Sequence, residues 1–149
     1  MKKTLALILL LALLLGACGE KQTARERVGE ALGLDLSWAE LMSENDTHGG
    51  FHGDGITIIQ LRVGDISGFL EGKEGWHELP LDPEHPVYGY IIGSFPEDCD
   101  TGKWYFYDRH SKASDPYDSS QLNKRHSMNF TAAVYNSESG VLNYYEFDT

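Results

Sequence analysis

The segment DTHGGFHGDG, Asp46 to Gly55, gathers two histidines, two aspartates and four glycines. Imidazole and carboxylate groups are ligands that zinc accepts, at distances of about 2.0–2.2 Å. His48, His52 and Asp54 therefore form a candidate metal set, with His110 of YFYDRHS as a distant fourth ligand and Asp108 to orient it. Such a centre would make the chain a metal-dependent hydrolase. His48 and His52 are four apart, which on a helix would put both rings on one face. Gly49, Gly50 and Gly53 argue against a helix there, and the spacing matches no established ligand pattern.

Two other readings use the same residues. In the first, the glycines supply positive φ, Asp46 and Thr47 satisfy local backbone donors, and the histidines lie over the turn. In the second, successive backbone N–H groups form an anion-binding nest. The turn reading leads. No catalytic residue is assigned, no cofactor is expected, and zinc is the one cofactor in view. Other catalytic signatures fail on spacing. HELPL from His77 breaks the paired-histidine zinc motif, and there is no Gly-x-Ser-x-Gly elbow. GFLEGKE (68–74) lacks the Ser/Thr of a phosphate loop, and the calcium-like start DCDTGK (98–103) has Arg109 where a glutamate is needed.

Aromatic residues are the other chemical feature. Trp104, Tyr105, Phe106 and Tyr107 alternate along one expected strand, so one pair must enter a core. The other pair, with Tyr88, Tyr90, Tyr144 or Tyr145, is a candidate stacking platform for sugar or peptide unless it too is core. Together the Gly-rich loop, Asp108, Arg109, His110 and nearby tyrosines make the expected contact surface of a binding module.

Several elements must position these groups. Thr23-Ala24-Arg25-Glu26 fits a capping box, with Ala24, Val28, Ala31 and Leu32 on one helix face and Gly33 as the stop. AELMSE (39–44) is a weak strand and ITIIQLRV (56–63) a strong one, joined by the glycine-rich loop. Asp65 is placed to cap a short helix over 66–71, with Ile66, Phe69 and Leu70 inward. VYGYIIG, WYFYDR, NFTAAVY and VLNYYEF read as four further strands, the last two joined by a hairpin at 136–140. Residues 119–125 fit one helical turn. The expected fold is a single α+β domain, a mostly antiparallel sheet with one or two short helices on one face.

The beginning of the chain carries an address. Lys2 and Lys3 precede an apolar run of eleven residues, Leu5 to Leu15, which is a signal-peptide core and shorter than the roughly 20 residues of a spanning helix. Leu15-Gly16-Ala17-Cys18 resembles the bacterial lipobox, in which the cysteine is acylated and becomes the new N-terminus. The expected organisation is a cleaved leader (1–17), a lipidated tether (18–22) and one globular domain (23–149). Two acyl chains would anchor the protein stably on the extracytoplasmic side of a cell membrane. Cleavage would remove Lys2 and Lys3 and no acid, leaving ten basic and 23 acidic side chains and a formal charge of −13. That acidity argues against nucleic acid as a partner and leaves an envelope protein or a glycan. With Cys18 acylated, Cys99 has no disulfide partner, and its acidic neighbours disfavour a thiolate.

ENDTHGGFHGDG, followed by WHELPL, YFYDRHS and SMNFTAAVYNSESGVLNYYEFDT, resembles a group of small bacterial lipoproteins without an assigned activity. The resemblance covers most of the mature chain and implies the same address and a single domain. The functional expectation is a membrane-anchored, non-enzymatic binding or accessory lipoprotein. A metal-dependent hydrolase and an envelope immunity or inhibitor protein are the alternatives.

Overall fold

In a computed structural model, residues 22–49, 53–110 and 113–149 are described. Helix α1 (Ala24–Leu32) opens on the expected capping box: the Thr23 backbone N–H donates to Glu26 at 2.8 Å, and the Glu26 N–H donates to the Thr23 hydroxyl. Gly33 ends it in the left-handed region at φ 64°. Ala24, Val28 and Leu32 are buried, whereas Ala31, expected beside them, is exposed. Strands β1 (Glu40–Asp46) and β2 (Gly55–Arg62) follow, joined by the glycine-rich loop. A one-turn helix α2 (Ser67–Leu70) leads to β3 (Trp76–Glu78). Helix α3 (Tyr88–Ser94) precedes β4 (Gly102–Asp108), a 3-10 helix (Ser119–Lys124), β5 (Phe130–Asn136) and β6 (Val141–Asp148).

The strands make one six-stranded sheet in the order β1-β2-β6-β5-β4-β3, every pairing antiparallel. This is the expected mostly β, α+β domain, with its short helices on both faces of the sheet and not on one alone. Period-2 alternation divides its residues between two cores. Ile59, Leu61, Tyr105, Ala133, Tyr135, Leu142 and Tyr144 face α1 and α2. Trp104, Phe106, Ala132, Val134 and Tyr145 face α3 and the 3-10 helix. The outer strand β1 is exposed throughout and charged at Glu40, Glu44 and Asp46, which discourages pairing with another edge. Among the described residues, no helix is long and apolar enough to cross a membrane.

Three further local expectations need correction. VYGYIIG is mostly helix α3 and not a strand. Val87, Ile91 and Phe95 are all buried, and their four-residue spacing lines one helical stripe over the sheet. Burial of that stripe overrides the strand preference of its β-branched and aromatic residues. Phe69, expected inward, is exposed: α2 is one turn long, so only Ile66 and Leu70, four apart, reach the core. The aromatic platform is also displaced. Trp104, Tyr105, Phe106, Tyr144 and Tyr145 are buried on one face or the other, because both faces of the sheet are covered.

Candidate functional site

Period-2 geometry places Tyr144, Glu146 and Asp148 of β6 on the α1 side of the sheet. Tyr144 is core there, so the two carboxylates beyond it lie at a margin where they need cations. Arg27 of α1 supplies one. Its Nε and Nη2 lie 3.2 and 3.1 Å from Glu146 Oε2, and its Nη1 lies 3.1 Å from Asp46 Oδ2 at the end of β1. Arg109, one residue past β4, supplies the second, with Nη1 3.2 Å from Glu146 Oε1 and Nη2 2.9 Å from Asp148 Oδ1. His48 closes the circuit. Its Nδ1 lies 2.7 Å from Asp46 Oδ1 and its Nε2 3.1 Å from Asp148 Oδ2.

The six groups therefore form a closed ring: Asp46, Arg27, Glu146, Arg109, Asp148, His48 and back to Asp46. Thr57 accepts from Arg27 Nη2 at 3.0 Å, and the Tyr144 hydroxyl donates to Glu146 at 2.8 Å. Gly55 is what lets the imidazole lie this close, since a Cβ there would stand 2.8 Å from the His48 ring. The His48 backbone N–H, then its ring, then Arg27 hold the Asp46 carboxyl well below the usual carboxylate range. Burial, and then Glu146, push the Tyr144 phenol far up.

Each of the six carboxylate oxygens in this ring faces an arginine or the imidazole, which suits fastening α1, the loop, β4 and β6 better than general-base work. Of the candidate site residues, the structure brings His48 and Arg109 together through Asp148. Asp108 turns away: it is buried, pairs with Arg125, and accepts from the His110 N–H at 2.9 Å. Asp54 is exposed on the loop, and His52 lies outside the described residues. Among the described residues, no group of three or more His, Cys, Asp or Glu side chains is set to hold a metal ion. Cys99 is buried and free, with Sγ 3.0 Å from the Phe95 carbonyl oxygen; burial, and then Asp98 and Asp100, push its thiol up to about 11.

Sequence reasoning missed Arg27, Glu146 and Asp148, and took Asp46 only as a turn former. The available signal was the alternation in YYEFD, which puts two acids on the face of a strand whose earlier residues are core.

A cleft beside the end of α1 is open to a ligand. The end of α1 (Glu30–Gly33), Lys73 and Glu74 border this cleft of about 480 Å³, whose aromatic wall is Tyr105, Tyr107 and Tyr117. Tyr117 stands edge-on to Tyr107 at 5.5 Å and to Tyr105 at 6.4 Å between ring centroids. Trp76 packs behind Tyr105 at 5.3 Å, and its buried indole N–H has no hydrogen-bond partner among the described residues. Tyr117 was not among the expected aromatics. It comes from the long polar segment after β4, which the wall draws back over the sheet. Compared with known proteins, the chain matches no family model, no curated protein and no solved structure.

Proposed function

We propose that the chain is an extracytoplasmic bacterial lipoprotein, held to the cell membrane by acyl chains on Cys18, that acts as a non-enzymatic binding or accessory module of the envelope. The observation that carries the binding role is the tyrosine-walled cleft. Phenol rings offer apolar faces with polar tips, and Lys73, Glu30 and Glu74 flank them with both signs of charge. That chemistry suits the ring faces of a glycan or a short envelope peptide. The leader and the Leu15–Cys18 motif support the address.

Two measurements test the two halves. Cys18→Ser is expected to abolish acylation and to leave the leader uncut; mass spectrometry of the native product must find diacylglyceryl-cysteine at its N-terminus, and a bare sulfur there sinks the anchor. Soluble peptidoglycan fragments are expected to shift the ring resonances of Tyr107 and Tyr117 in NMR spectra. Tyr117→Ala should then raise the dissociation constant roughly tenfold, the worth of one lost aromatic contact. Fragments that leave both rings unmoved argue against the glycan reading. The formal charge of −13 on the mature chain favours a second reading, an inhibitor or immunity protein for a basic partner. A basic partner would associate at a rate that falls steeply with salt.

A further inference from the structure

We propose that the surface around Trp38, Leu41 and Phe69 is a bilayer-contact face, seated in the headgroup region of the membrane that the tether reaches; this rests on the lipid-anchor reading of Cys18. Trp38 is 57% exposed and Phe69 is 69% exposed, although both belong to residue types that normally supply core. They border one cleft of about 290 Å³ with Leu34, Leu36 and Lys73. Leu34 and Leu36 also line the adjoining concavity, which contains Gln22, the first of the described residues. A third concavity joins the second through Arg25 and Ser37 and reaches Leu41 beside Thr23. The Arg25 guanidinium donates to the Ser37 carbonyl at 3.4 Å, tying the Trp38 turn to the first turn of α1. The exposed apolar side chains are thus continuous with the point where the tether joins the domain.

Length decides what covers them. Residues 18–22 span at most roughly 17 Å when fully extended, so acyl chains on Cys18 hold this side of the domain against the lipid. Tryptophan and phenylalanine favour the headgroup boundary, and interfacial elements enter it by about 5–10 Å. Lys73 and Arg25 line the same surface, with their charged ends donating to the Gly33 and Ser37 carbonyls and their apolar stems left to extend along lipid. Asp35, Glu26 and Glu30 line the same concavities, three carboxylates against two cations, so a zwitterionic surface suits this face and an anionic one would repel it.

The test uses the full-length acylated protein in phosphatidylcholine vesicles whose acyl chains carry bromine near the headgroup. Of the three tryptophans, Trp38 is exposed, Trp76 is half-buried and Trp104 is buried, so bromine is expected to quench Trp38 by half or more. Trp38→Phe, a conservative change at an exposed site, should remove most of that quenching. Acylated Cys18 by mass spectrometry with no quenching overturns the contact face alone. A bare Cys18 overturns the anchor and the face with it. Quenching that survives in Trp38→Phe also overturns the proposal.

Discussion

Replacing Gly102 by alanine is expected to destabilise the domain by about 3 kcal/mol or more, lowering the melting temperature by roughly 10 °C or more. Gly102 opens β4 at φ 117°, a backbone region that L side chains rarely adopt. A Cβ at that position would stand 2.0 Å from the Tyr135 carbonyl oxygen and 2.9 Å from the Ser137 nitrogen. Both obstacles are backbone. Tyr135 belongs to β5, paired with Lys103 of β4, so the clash falls between two interior strands of the sheet where their ladder begins. Two other glycines isolate the causes. Gly33 has φ 64° but open space where a Cβ would stand, so Gly33→Ala should lose only about 1 kcal/mol from backbone strain. Gly68 has ordinary φ and open space, so Gly68→Ala should be neutral or gain up to about 1 kcal/mol. Thermal melts of the three variants must keep that order. An unchanged melt in Gly102→Ala would show that the β4–β5 register can slip to accept a methyl group.

These glycines also mark how far the sequence could be read. Helix α1 was legible because its signals are local: a threonine, a glutamate three residues later, and a glycine at the end. The hairpin between β5 and β6 was legible for the same reason, since the Asn136 side chain accepts from the Glu138 and Ser139 N–H groups within its own turn. Helix α3 was not, because what makes it helical is a sheet face waiting for Val87, Ile91 and Phe95, supplied by strands that come later in the chain. Gly102 read as part of a failed calcium loop, and its true constraint is a carbonyl thirty-three residues away. His48 and Arg109 stood out as polar groups in plausible places. Their partners did not, since Arg27 and Glu146 are 119 positions apart and meet only through the strand order.

The ring that those partners complete carries the other large effect. Glu146→Ala is expected to lose about 2–3 kcal/mol, somewhat below the usual result of breaking a fully buried pair, because the ring side chains are 13–38% exposed. The substitution removes the acceptor shared by Arg27, Arg109 and the Tyr144 hydroxyl, and leaves each guanidinium with one carboxylate, Asp46 for Arg27 and Asp148 for Arg109. Glu40→Ala is the comparison. It breaks a single 3.3 Å link to Arg62 between two largely exposed side chains, and should cost less than about 0.5 kcal/mol. Acid adds a second signature through Asp46, whose folded carboxyl is held below its unfolded value of about 3.9. Its contribution is complete above that value and is lost as pH falls through the depressed folded one. The stability gap between wild type and Asp46→Asn should therefore be full at neutral pH and close progressively below about pH 4. Urea melts at several pH values measure both quantities. If Glu146→Ala melts like Glu40→Ala, the ring is not what fastens α1 to β6. His48 and Arg109 would then return as candidates for ligand contact, in competition with the tyrosine cleft.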